Sequence, residues 1–174
     1  MNLLLHQTVM APGSSLHLQQ GNRKNNYFLN GRSLEPMALT DGRYLRIYMG
    51  LAIHRTKEGE RLKILNSGYQ YQADTNGKEW IFRYDYERNP VRPHPPTHLH
   101  LRGTLTENCL PAGKALDDIH FPAARVSLEA VIRLLIDQFK VHARTGRSHW
   151  RRLLTESEKA FLEIANKALS GASR

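Results

Sequence analysis

The chain has 174 residues, 40% of them hydrophobic and 24% charged, and a formal net charge of +9. That length is enough for one domain with its own core, and no run of about 18 apolar residues is present to cross a membrane as a helix. The single cysteine, Cys109, excludes an internal disulfide and fits a reducing compartment.

The start, MNLLLHQTVMAPGSS, has no basic leader and too short an apolar core for a signal peptide, so a cytoplasmic location is expected. Residues 1–42 read as an irregular polar lead-in with one short strand, Asn- and Gly-rich in QQGNRKNNYFLNGRS. From Arg43 the pattern sharpens. In RYLRIYMGLAIHRT the residues Leu45, Ile47, Met49, Leu51 and Ile53 alternate with Tyr44, Arg46, Tyr48, Gly50, Ala52 and His54, the period of a half-buried strand. A second strand follows in RLKILNSGYQYQAD, where the apolar phase slips near Asn66–Gly68 and predicts a bulge. Asn76-Gly77 suits a tight hairpin turn. EWIFRYDYE then places Trp80, Phe82, Tyr84 and Tyr86 on one face and Ile81, Arg83, Asp85 and Glu87 on the other. After a proline-rich loop, THLHLRGTL forms a fourth strand, with His98, His100 and Arg102 opposite Leu99, Leu101 and Leu105.

Helical periodicity takes over after a connecting loop at 107–126. Leu128, Val131, Ile132, Leu135 and Phe139 form an apolar stripe behind a Ser127 cap, with Glu129, Arg133 and Asp137 paired along the outer side. A last helix is predicted to start at TESE, where Thr155 and Glu158 have capping-box spacing. Residues 1–174 therefore read as a single α+β domain: an antiparallel sheet of four or more strands over 43–106, with C-terminal helices at 127–169 packed on one face.

The polar face of that sheet is where chemistry is expected. Arg46, Tyr48, His54, Arg83, Asp85, His98, His100 and Arg102 all project from it if the phases hold. Histidine exchanges protons near neutral pH, and arginine grips phosphate with paired hydrogen bonds, so the grouping suits phosphodiester chemistry. His98, His100, Asp85 and Arg102 are the candidate catalytic residues; Arg46, Tyr48 and Arg83 would contact the phosphate or base. An open antiparallel sheet is also polar on its wet face without any site there. His-X-His on a strand has metal-ligand spacing too, with His94, His120 or Asp85 as a third ligand, although no cysteine pair or His-Glu-X-X-His helix supports it. Cys109 reads as packing and the PAGKALD loop lacks a full phosphate-loop pattern. Between Gln138 and Thr155 lie five Lys or Arg residues and no acid. Arg144, Arg147 and Arg151 there, with Trp150, could grip a nucleic-acid backbone and stack on a base, unless Trp150 belongs to the core.

The order in WIFRYDYERNPVRPHPPTHLHLRG, an aromatic-acidic strand followed by clustered histidines, resembles the small TumE-like toxins of bacterial toxin–antitoxin pairs. DIHFPAARVSLEAVIRLLIDQF is likewise similar to a type of uncharacterised actinobacterial protein. The resemblance spans about a third of the chain and matches Asp85, His98 and His100 by position. It implies a toxin acting on RNA with a cognate antitoxin as partner; the longer helical C-terminus departs from the compact toxin pattern.

Three functions stay open on the sequence. The first is a metal-independent enzyme acting on RNA or another phosphate-bearing substrate, with no cofactor. The second is a non-catalytic nucleic-acid- or protein-binding module using the basic loop 140–152. The third is a metal-dependent hydrolase built on His98 and His100.

Overall fold

Strands with one aliphatic face need a partner layer, and the computed structural model of the chain shows what supplies it. It describes residues 1–31, 35–57, 59–91, 95–102, 121 and 125–170. Seven antiparallel strands form one sheet: β1 (Leu16–Gln20), β2 (Asn26–Gly31), β3 (Met37–Ala38), β4 (Tyr44–Thr56), β5 (Gly59–Gln72), β6 (Trp80–Glu87) and β7 (Thr97–Leu101). Their order is β1-β2-β4-β5-β6-β7, and β3 pairs with the start of β4. Helices α1 (Asn2–Thr8), α2 (Leu128–Asp137) and α3 (Arg147–Ser170) complete an α+β fold.

Residues 1–42 are not an irregular lead-in. They contribute α1 and three strands, and Leu5, Val9, Met10, Leu16, Met37 and Leu39 belong to the core. Their strands are short, and the loops between them dilute the alternation that a sequence window registers. The Asn2 side chain holds β1 in place, donating to the Leu16 carbonyl at 2.9 Å and accepting from its amide at 2.8 Å.

The central strands follow the sequence phases closely. Leu45, Ile47, Met49 and Leu51 are buried, and the expected bulge falls at Leu65, where Gly50 pairs with Asn66 but Leu51 pairs with Ile64. A second bulge was not legible. Tyr71 pairs with Phe82 but Gln72 pairs with Trp80, so Ile81 is an extra residue. The face therefore switches there: Ile81 is fully buried in the core and Trp80 is only half-buried.

The aromatic rings of Tyr71, Phe82 and Phe139 meet at centroid separations of 5.0–5.6 Å and bind the sheet to the segment after α2. Ser127 caps α2, its hydroxyl oxygen accepting from the Ala130 amide at 3.0 Å. Leu128, Val131, Ile132 and Leu135 are buried beneath it, each contributing about 1.5–3 kcal/mol relative to exposure. α2 ends at Asp137, and Lys140 just beyond it has a φ of 59° that turns the chain back so that the Val141 amide reaches the Leu135 carbonyl.

Two helical expectations need correction. Glu129 and Arg133 do not pair outwards along α2. Glu129 is buried and accepts a hydrogen bond from the Ser157 hydroxyl, while Arg133 binds Glu158 of α3 at 3.1–3.2 Å. α3 begins at Arg147, not at TESE, and Gly146 supplies the carbonyl that its first turn bonds to. Thr155 lies inside the helix and donates to the Arg151 carbonyl at 2.9 Å instead of capping an end. Trp150 and Leu154 are buried, so the helix earned its length from packing that the polar TESE segment conceals. No described helix is long and apolar enough to cross a membrane.

Candidate functional site

The helices cover one face of the sheet. On the other, the registers align side chains into two transverse rows. Tyr48 pairs with Gly68, Gly68 with Asp85 and Asp85 with His98; one step along, Arg46 pairs with Gln70, Gln70 with Arg83 and Arg83 with His100. Residues two apart on a strand share a face, so both rows point the same way. They line a cavity of about 770 Å³, together with Asn30 from β2 and with Glu87 and Val91. The volume is within the range of small-ligand pockets.

At one end of the cavity three groups converge. Asp85 Oδ2 lies 3.4 Å from His100 Nε2 and 3.8 Å from His98 Nε2, and the two imidazoles meet nearly edge to face with centroids 4.8 Å apart. Arg83 Nε donates to the same carboxylate oxygen at 2.6 Å. The other nitrogen of His98, Nδ1, lies 3.2 Å from the Pro95 carbonyl. A carbonyl only accepts, so His98 carries its proton on Nδ1 in the neutral form, and Nε2 presents a lone pair towards Asp85 and His100.

Arg46 and Tyr48 supply the rest of the wall. Arg46 makes no salt bridge or side-chain hydrogen bond among the described residues, and its Nε is buried without a partner, as is Asn30 Oδ1. Arg46 is part-buried, and a buried donor such as its Nε is costly to leave unsatisfied. Tyr48 lies over Gly68, where any β-carbon would collide with its ring. Burial of that ring pushes the Tyr48 hydroxyl above its ordinary pKa, and the Asp85 and Glu87 carboxylates add to the shift against the opposing Arg83. Tyr48 thus remains a neutral hydrogen-bond donor across the physiological range.

The sheet accordingly brings Arg46, Tyr48, Arg83, Asp85, His98 and His100 into one cavity. Arg102 is not among the lining residues. Its guanidinium binds the Glu79 carboxylate at 3.0 Å and the Lys78 carbonyl, closing the β5–β6 turn. The Ile81 bulge lies beside it, and the Arg102 amide bonds to the Ile81 carbonyl. His54 is exposed towards the far end of β4 and also lies outside the cavity.

The basic segment stands apart as well. Trp150 is buried, which removes it as a stacking platform. The Arg144 amide bonds to Thr8 and its guanidinium to the Met10 carbonyl, while Arg151 pairs with Asp137 at 3.0 Å. Arg147 opens α3, on the helix layer. His94, Cys109, Leu105, His120 and the PAGKALD loop lie outside the described residues.

Sequence reasoning missed Asn30, Gln70 and the exposed Phe28, all on this face of the sheet. The signal was present in NYFLN, where Tyr27 and Leu29 alternate with Phe28 and Asn30, but two such pairs are too few to stand out.

Fold and site together define an α+β protein with a histidine–carboxylate cluster and an unpaired arginine on the open face of its sheet. Comparison with protein-family models, curated proteins and solved structures returns no significant match.

Proposed function

We propose that this protein cleaves phosphodiester bonds in RNA at the Asp85–His98–His100 cluster, as the toxin of a toxin–antitoxin pair. The observation that carries the reading is the placement of Arg46, a part-buried arginine whose Nε has no partner, in the same cavity as two imidazoles and a carboxylate. Phosphodiester cleavage needs the attacking oxygen to be deprotonated and the phosphate charge to be neutralised in the transition state. The cluster answers the first requirement and Arg46 the second, by two-pronged bonding to phosphate oxygens. Tyr48, beside Arg46 on β4, offers a neutral donor and an aromatic face to a base. The toxin role is supported by the TumE-like order of residues 80–102, and a partner that blocks the open face would act as antitoxin.

Cleavage of a labelled single-stranded oligoribonucleotide by the full chain tests this. His98→Ala and His100→Ala should each lower kcat/KM by at least about a hundredfold, in the range typical of lost acid–base groups. Arg46→Ala should lower it by about tenfold or more, with circular dichroism unchanged in all three. Wild-type rates in both histidine variants would overturn the reading.

A further inference from the structure

Free acid–base catalysis leaves one feature of the cluster without an account. A histidine that serves a substrate keeps one nitrogen on an orienting partner and turns the other towards the reacting group. His98 instead has Nδ1 at the Pro95 carbonyl and Nε2 directed at Asp85, so both of its nitrogens face protein groups. His100 Nε2 is directed at that same Asp85 oxygen. Three potential donor atoms, one from each residue, thus lie within 4.8 Å of one another.

That is the arrangement a cation organises. With bonds of about 2.0–2.1 Å, the donors of a tetrahedral centre lie about 3.3–3.4 Å apart. The observed 3.4 Å and 3.8 Å between Asp85 Oδ2 and the two imidazole nitrogens come within about half an ångström of it, and the imidazole donors, within 4.8 Å of each other, would draw together round the ion. The Pro95 carbonyl at His98 Nδ1 is the partner that metal-binding histidines ordinarily have, since it fixes the tautomer and aims the lone pair. We infer that Asp85, His98 and His100 bind a divalent first-row transition ion, of the zinc class, with its remaining positions open to the cavity. The third ligand is Asp85 from the neighbouring strand, which the local HPPTHLH pattern does not reveal.

Arg83 modulates the site. It donates to Asp85 Oδ2 at 2.6 Å while its own side chain is 41% exposed. A carboxylate oxygen can accept both a cation and a hydrogen bond, but the guanidinium charge opposes a second cation beside it. Arg83 therefore sets the affinity below that of the bare ligand set. The ion's part in cleavage rests on the phosphodiester reading; its binding does not.

Calorimetric titration of the untagged full chain with zinc chloride, after dialysis against chelator, tests the inference. One ion per chain is expected, with a corresponding rise in unfolding temperature. Asp85→Asn, His98→Ala and His100→Ala should each weaken binding by at least about a hundredfold and abolish that rise. His17→Ala, on the exposed part of β1, should change neither, and Arg83→Gln should tighten binding several-fold. Cobalt(II) in place of zinc should give the intense visible absorption of a four-coordinate ion, lost in His100→Ala. Failure of the wild type to bind stoichiometrically, or wild-type affinity in His100→Ala, would overturn the site. Binding without RNA cleavage would overturn the phosphodiester reading and leave the site; cleavage undiminished by chelator, without binding, would do the reverse.

Discussion

Gly68 is the residue on which the cavity wall depends. It stands opposite Tyr48 across β4 and β5, and a β-carbon there would run into the tyrosine ring. An aromatic side chain laid over a cross-strand glycine is a paired unit, worth on the order of 0.2–1 kcal/mol by the usual scale of such pairs. Gly68→Ala should therefore cost about 1 kcal/mol in urea unfolding, because the ring must leave its seat. In a Tyr48→Ala background the same change should be neutral or stabilising, since alanine restricts the unfolded chain more than glycine does. Equal costs in the two backgrounds would show that the ring is not what excludes a side chain. The sequence placed Tyr48 on the polar face but was silent on this contact, since the phase of β5 slips at Leu65 and pairing is a property of two strands at once. For the same reason the convergence of Asp85 with His98 and His100 was an expectation about faces only. Register turned it into distances.

At the scale of elements, α2 and α3 are joined by polar contacts as well as apolar ones. Glu158 accepts from the Ser127 hydroxyl at 2.7 Å and from the Arg133 guanidinium at 3.1–3.2 Å, so one carboxylate links the cap of α2, its middle and α3. The pair is part-buried, with side-chain exposures of 33% and 24%, so solvent screening limits its worth. Glu158→Ala should lower stability by about 1–2 kcal/mol, as charge-assisted bonds of this kind do, and Glu158→Gln by less, because the amide oxygen still accepts from Ser127. An unchanged urea midpoint in Glu158→Ala would remove the link as a stabilising feature. These contacts explain which helical signals misled. Thr155 and Glu158 have the spacing of a capping box, yet Glu158 faces α2 and Thr155 bonds back within α3. Glu129 and Arg133 have the spacing of an exposed pair, yet both turn to α3. In each case a local rule competes with a tertiary partner, and the half-buried position favours the partner. The α2 stripe and the alternation of β4 were legible because long apolar patterns leave one face to bury.

Across the whole molecule the question is where the +9 charge meets an anionic partner. Among the described residues two arginine-bearing surfaces are candidates: the cavity, where Arg46 and Arg83 stand with Asp85 and Glu87, and the start of α3 with Arg147 and Arg151. The sheet and its helix layer separate them by about a layer spacing of 10 Å or more, beyond the screening length of about 8 Å at physiological ionic strength. Charges on one surface therefore act weakly on a ligand held at the other. Each phosphate neutralised on single-stranded nucleic acid contributes about −0.7 to the slope of log affinity against log salt. If RNA lies in the cavity, Arg46→Ala should flatten that slope by about 0.7 and weaken binding about tenfold. The double variant Arg147→Ala with Arg151→Ala removes twice the charge, yet it should leave the slope nearly unchanged at 0.15 M salt. Arg151 already shares its charge with Asp137, which reinforces the expectation. Fluorescence anisotropy of a labelled oligoribonucleotide over a salt series, with His100→Ala as the background to prevent cleavage, measures both. The opposite ranking would move the RNA contact to the helix layer and leave the cavity to a ligand of another kind.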